Sequence, residues 1–314
     1  PAGIAQLRNL QGLTATHNAL TTVPPEIGEL KQLQSLGLSD NHLTTLPKEI
    51  GQAHNLSWLS VENNALAFLP EEIGSLANLV TLRAKHNQLA QLPEEFGQLQ
   101  ALKDLQLGHN MLTAVPDALG QACRLWRLNL GHNALTVLPD ALGRLHNLTF
   151  LQVEHNLLRQ LPADIAKLPA LKGLRLEHNQ LESLPAQIAS ASSLREVYLG
   201  NNCLQFIPRG LPFLRELQIL AVPNNQISVL AATIGQMTGL AYFDVSANGL
   251  AAIPPEIRTL RKLQHLDVSS NHLTCLPSEL AQIPALRNVL ATGNPAMEPL
   301  PEALRTAPWL GIHL

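Results

Sequence analysis

Asparagine stands at position 18 and then at every twenty-third residue: Asn41, Asn64, Asn87, Asn110, Asn133, Asn156, Asn179, Asn202, Asn225, Asn248, Asn271 and Asn294. These thirteen positions keep one period without an insertion or a deletion. Self-similarity of this kind means that one supersecondary unit is copied and stacked, so each unit buries its apolar face against its neighbours. A chain with this rhythm is an array, and its fold class follows from the physics of one copy.

The copy reads L-x-x-L-x-L-x-x-N-x-L-x-x-L-P-x-x-I-G-x-L. One instance is spelled by Leu33, Leu36, Leu38, Asn41, Leu43, Leu46, Pro47, Ile50 and Gly51. Around Leu36 and Leu38 the pattern alternates with period two, which turns the leucines inward and Ser35, Gly37 and Ser39 outward on a strand. Identical strands stack about 4.8 Å apart into one parallel sheet. The asparagine closes the turn after the strand, its amide serving backbone groups of its own and the adjacent coil. Losing such a buried partner costs roughly 1–3 kcal/mol. Leu-Pro then fixes φ and opens a return segment suited to a short 3-10 or α turn ended by glycine. The proline is present in eleven of twelve units, Ala231 being the exception. Each copy offers about seven apolar side chains, at roughly 1.5–3 kcal/mol apiece before chain entropy is subtracted, so no copy stands alone.

These residues resemble the leucine-rich repeat family, in its 23-residue Leu-Pro form. That form is shared by plant intracellular Ras-group proteins, animal Ras- and Rho-pathway scaffolds, and type III effectors of plant-pathogenic bacteria. The resemblance implies an α/β solenoid of thirteen coils, a horseshoe with a parallel sheet on the concave face and short 3-10 or α turns on the convex face. It predicts a single domain over 1–314. Residues 1–9 form a partial repeat, 10–294 the regular repeats and 295–314 a C-terminal cap.

The ends fit that division. Pro1, Ile4, Leu7 and Leu10 align with Pro24, Ile27, Leu30 and Leu33, so the sequence opens inside a repeat and points to a missing upstream segment. Beyond Asn294 the register slips, with Leu300-Pro301 one residue late, and Trp309 is the candidate to cover the last coil. Cys123, Cys203 and Cys275 are odd in number and dispersed. Cys203 and Cys275 lie three coils apart, beyond disulfide reach, and Cys123 is expected to be packed in its return segment. Free thiols point to a reducing, intracellular compartment. For a bacterial effector this means the host cell after secretion. The sequons at Asn55 and Asn147 read as chance.

Little chemistry is written between the leucines. A histidine precedes the asparagine at His17, His86, His109, His132, His155 and His178, five of them in consecutive coils. A linear row lacks the tetrahedral convergence of a zinc site, and Asp40, Asn63, Asn201 and Asn224 show that this turn simply takes small polar residues. A proton-sensitive patch is the second reading of the row. No nucleophile elbow, phosphate loop, zinc-protease helix or kinase signature occurs. No catalytic residue, cofactor or metal is therefore assigned. Lys and Arg number 21 against 24 Asp and Glu, a net charge of −3, which argues against nucleic acid as the partner. No apolar run is long enough to insert in a membrane.

Function is thus left to the outward strand positions. Trp58, Arg83, Lys85, Arg127, Phe150, Arg175, Glu177, Tyr198 and Tyr242 mix aromatics with both charges, the composition of a protein-binding surface rather than a phosphate-binding one. Trp126, near a strand start, is the aromatic expected to cover neighbouring leucines instead. The reading is a non-catalytic scaffold, monomeric alone, that holds a host or signalling protein on its sheet. The alternative is the substrate-recognition part of a kinase, ubiquitin ligase or nucleotidyl transferase whose catalytic domain is absent. A consensus-designed array without a partner is disfavoured by irregularities at Cys123, Pro223, Ala231 and Pro295.

Overall fold

The computed structural model of the chain describes residues 2–314; Pro1, where the alignment of the first return segment starts, lies outside them. The described residues fall into two compact units, the first ending at Leu157 and the second running Leu158–Leu314. Each is built the same way. The first carries seven three-residue strands from Gly12–Thr14 to Phe150–Gln152, the second seven from Gly173–Arg175 to Gly311–His313. Within each unit the strands are parallel and follow chain order, every residue lying opposite the one twenty-three later, as Leu36 does Leu59 and Val197 does Leu220.

One repeat shows why these residues make this coil. Leu43, Leu46, Ile50, Ala53, Leu56, Leu59 and Val61 are all buried, so the seven apolar positions read from the sequence form the core. Pro47 sits at φ −68° and ψ 142° and leads into a 3-10 turn over Lys48–Gln52, closed by the Ala53 amide donating to Ile50 O. Asn41 spans two coils. Its Nδ2 donates to Ala15 O in the preceding coil at 2.8 Å and to Leu38 O at 3.0 Å, while its Oδ1 accepts from Leu20 N at 2.9 Å. The same set recurs at Asn87, Asn156, Asn202 and Asn271, all buried.

Four details depart from the sequence reading. The return-turn glycine does not end the turn: Gly51 is fourth of five residues, and a Cβ there would collide with Glu72 O of the next coil. Close approach, not left-handed geometry, requires it. Cys123 is exposed rather than packed, because the 3-10 turn Asp117–Gln121 has already closed two residues earlier. Residues 295–314 add a fourteenth strand, Gly311–His313, paired to Asn288–Leu290, together with one α-helical turn, Glu302–Arg305. There Leu304, Ala307 and Leu310 are buried, whereas Trp309 is 53% exposed.

The irregular repeat around Pro223 keeps its shape. Ala231 takes φ −68° and ψ 152°, the conformation of the prolines it replaces, and the turn Ala232–Gln236 follows as usual. At the strand exit Val222 N donates to Asp244 O and Asn224 N to Ser246 O, so the ladder steps on either side of Pro223 are intact. In other coils the amide at this position pairs with a side chain: Gly131 N with Asn129 Oδ1, Ser246 N with Asp244 Oδ1. Proline here gives up an amide that the backbone ladder does not use.

Candidate functional site

A three-residue strand buries its middle side chain and turns its two flanking ones to the opposite face. In the first unit this face carries Trp58, Arg83, Arg127 and Phe150 on strands, with Lys85 two residues beyond Arg83. Trp58 is half-buried because it lies over Gly37 of the preceding strand, its Cζ3 3.4 Å from where a Cβ would stand. Arg83 is exposed and Lys85 half-buried. Arg127 and Phe150 are direct partners in the parallel register, and Phe150 is 38% exposed. Trp126, at the strand start, is 41% exposed. Its backbone, though, is engaged: Trp126 O accepts from Thr149 Oγ1 at 2.8 Å.

In the second unit the face is more tightly organised. The Arg175 guanidinium sits 4.8 Å from the Tyr198 ring centre and 3.9 Å from Glu177 Oε1. Tyr198 OH donates to Glu196 Oε2 at 3.4 Å. Arg175 is exposed, so its ion pair contributes little; the cation–ring contact adds about 0.5–1 kcal/mol and holds both side chains in place. Tyr242 stacks on His265 at 4.8 Å, with 5° between the planes. Burial, and then the neighbouring carboxylates Glu196 and Asp244, push the two phenols above their ordinary value. Burial also raises Asp244, against the hydrogen bonds Ser246 gives it. Of the nine residues singled out in the sequence, the fold thus brings Arg127 against Phe150, and Arg175 against Tyr198 and Glu177. Trp58 and Tyr242 find other neighbours.

The histidine row sits on a backbone feature that the sequence did not disclose. His17, Asp40, Asn63, His86, His109, His132, His155, His178, Asn201, Asn224, Ala247 and Ser270 all have φ between 49° and 58°. This is the left-handed region, where Asn, Asp and His are enriched because their short polar side chains fit there. In the first unit the imidazoles form a column: His86 to His109 4.1 Å, His109 to His132 3.9 Å, His132 to His155 4.0 Å, with planes within 14°. Burial first, and then the neighbouring His132, His86 and Lys85, lower the His109 pKa below the usual histidine value. Two charges 4 Å apart repel by about 1 kcal/mol in water and about 4 kcal/mol at a partly buried surface, so a fully charged column is disfavoured. Among the described residues no group of three or more His, Cys, Asp or Glu is placed to hold a metal ion.

A second asparagine set was also missed. Asn55 Nδ2 donates to Lys31 O, Asn78 Nδ2 to His54 O and Asn147 Nδ2 to Cys123 O, each reaching the preceding coil. The two sequon asparagines therefore tie coils together, and their recurrence immediately before a core leucine was the available signal.

The comparisons agree with this architecture. Three family profiles match: "Leucine-rich repeat region" over 25–117, "Leucine rich repeat" over 169–227 and "Leucine Rich Repeat" over 262–283. A leucine-rich repeat protein of Leptospira interrogans, of known structure, is 34% identical over all of this chain and 86% of its own, with a TM-score of 0.89. The plant peptide hormone receptor RGFR1, solved in complex with RGF2, is 28% identical, covering 99% of this chain and 52% of its own, with a TM-score of 0.84. The ectodomain of the Arabidopsis thaliana receptor kinase GASSHO1/SCHENGEN3, solved with CASPARIAN STRIP INTEGRITY FACTOR 2, is 28% identical over all of this chain and 42% of its own, TM-score 0.74. The chain thus spans about half or less of those two receptor chains. No curated protein matches it. A parallel sheet of short strands backed by 3-10 turns defines a repeat scaffold. The chain belongs to the leucine-rich repeat family.

Proposed function

We propose that the chain is a non-catalytic recognition scaffold that binds a protein partner through the outward side chains of its strands. Trp58, Arg83, Lys85, Arg127 and Phe150 serve in the first unit, and Arg175, Glu177, Tyr198 and Tyr242 in the second. The observation that carries this reading is Phe150: a phenyl ring 38% exposed at a strand position, in register with Arg127, where packing asks for no aromatic. Exposed aromatics beside arginine are the side chains that dominate protein–protein hot spots. A repeat backbone held by asparagine ladders loses little entropy on binding, which favours this use. RGFR1 and GASSHO1/SCHENGEN3, similar in fold and at 28% identity, are each solved in complex with a partner. The Leu-Pro wording of the repeats supports an intracellular signalling scaffold or a bacterial effector acting on a host protein.

The test is capture of candidate partners by immobilised protein, comparing wild type with R127A/F150A and R175A/Y198A. Each pair is expected to lose capture at least tenfold while thermal unfolding shifts by no more than a few degrees. Undiminished capture by both double variants places recognition elsewhere and overturns the reading.

A further inference from the structure

The imidazole column is not explained by the backbone it sits on. The left-handed position accepts Asp40, Asn63, Ala247 and Ser270 in other coils, so nothing in the geometry demands histidine. Yet consecutive coils supply it, and the rings stack at 3.9–4.1 Å. His86 and His109 are exposed and His132 is half-buried, which leaves ring edges open to solvent. Beside them Gly108 and Gly131 carry no side chain. The space at Gly108 is used by Asn129 Oδ1 and that at Gly131 by the Glu154 carboxylate, which folds back over it.

The charged groups around the column are few. Arg83 and Lys85 lie at the His86 end, with Glu62 one coil further out, and Glu154 lies beside His132. The residues that follow the ladder asparagines here, Gln88, Met111 and Ala134, are uncharged. Neutral, the column is a band of ring edges. Protonated at alternate rings, it becomes a line of cations continuous with Arg83 and Lys85. Two ring steps, 4.1 and 3.9 Å, separate His86 from His132. On an extended peptide, side chains of residues i and i+2 share a face roughly 6.8 Å apart. The two spacings differ by only about 1 Å, within the reach of a flexible Asp or Glu side chain, so carboxylates at i and i+2 can meet His86 and His132.

We propose that the column His86–His109–His132–His155 is a proton-gated seat for an extended acidic segment of a partner protein, which it holds more tightly as the pH falls. Each bound carboxylate stabilises the imidazolium it meets, so binding takes up protons and tightens with acidification. The seat lies past the strand ends and shares only Arg83 and Lys85 with the strand-face reading, whose variants R127A/F150A and R175A/Y198A leave it untouched.

The probe is a labelled decapeptide of alternating Asp and Ser, whose carboxylates stay ionised at pH 5.5. Its affinity is read by fluorescence anisotropy at pH 5.5 and 7.5 and equal ionic strength. At least tenfold tighter binding is expected at pH 5.5. The variant H86N/H109N/H132N, carrying the residue that Asn63 shows this backbone accepts, is expected to lose that gain while unfolding at the wild-type temperature at pH 7.5. In wild type the ring resonances of His86, His109 and His132 are expected to shift on adding peptide at pH 5.5, a readout that needs no variant. Equal affinity at both pH values, a gain that survives the triple substitution, or the same gain with a single-stranded oligonucleotide of equal charge would overturn the proposal.

Discussion

The guanidinium carbon of Arg175 rests 4.8 Å from the centre of the Tyr198 ring, one strand away in the parallel register. The pair fixes two long side chains on a face whose backbone is already rigid. It also makes the phenol a reporter of its surroundings.

The chain has only two tyrosines, Tyr198 and Tyr242, and both are held above the ordinary phenol value, by burial first. Arg175 is the force pulling Tyr198 the other way. In a Y242F background, ultraviolet titration is therefore expected to show tyrosinate forming above pH 10, and later still after R175A. A phenol raised in the fold contributes stability that is present below the unfolded value and lost as pH rises through the folded one. An R175A curve that overlays its parent would show that the stack does not persist in solution.

Asn271 donates to Val245 O, Val268 O and Ser269 O at 3.0, 3.1 and 3.0 Å and accepts from Leu250 N at 2.9 Å, while only 2% exposed. Asn18 occupies the same sequence position but is exposed and donates to Thr16 O. Asn271→Ala is expected to cost about 1–3 kcal/mol by urea denaturation, since it strands buried backbone partners, and Asn18→Ala well under half of that. Equal costs would refute the ladder as the source of stability.

Asp244 and Asp267 face each other across adjacent strands, each accepting from a serine two residues on. Burial raises the Asp244 carboxyl above its ordinary value. The native state therefore holds its proton more tightly than the unfolded chain, and this contribution grows as pH falls toward that value. Asp244→Asn keeps the acceptor oxygen and removes the charge. It is expected to stabilise the fold slightly at pH 7, by less than about 1 kcal/mol after solvent screening and read as a small rise in melting temperature, with the advantage gone near pH 4. A lower melting temperature at pH 7 would mean that the carboxylate is needed as such.

Much of this architecture is legible in the bare sequence because the constraints are local and repeated. Leu36, Leu38 and Ile50 are buried where their spacing puts them, and Asn41 bridges coils as its period implies. What stayed hidden depends on backbone geometry that residue type reports only loosely. Asp40, Asn63, His86 and Ala247 share one left-handed conformation yet no common chemistry, so the row reads as mere polarity. Gly51 looks like a turn terminator until Glu72 O is seen beside it. Cys123 and Trp309 were placed by their neighbours in sequence, whereas exposure is set by where the following coil runs. On the face itself, spacing names the outward residues. Which pair meets, as Arg175 and Tyr198 do, depends on side-chain lean across strands.

Pro223 shows that the amide just past each strand is spare. Thr16, Ser39, Lys85, Gly131, Glu154 and Pro223 share that station, and the coil closes around all of them. For a protein engineer the stations partly open to solvent, such as Thr16 and Lys85, are sockets where grafted chemistry leaves the backbone ladder alone, whereas Ser39 and Gly131 are already filled in by Glu62 N and the Glu154 carboxylate.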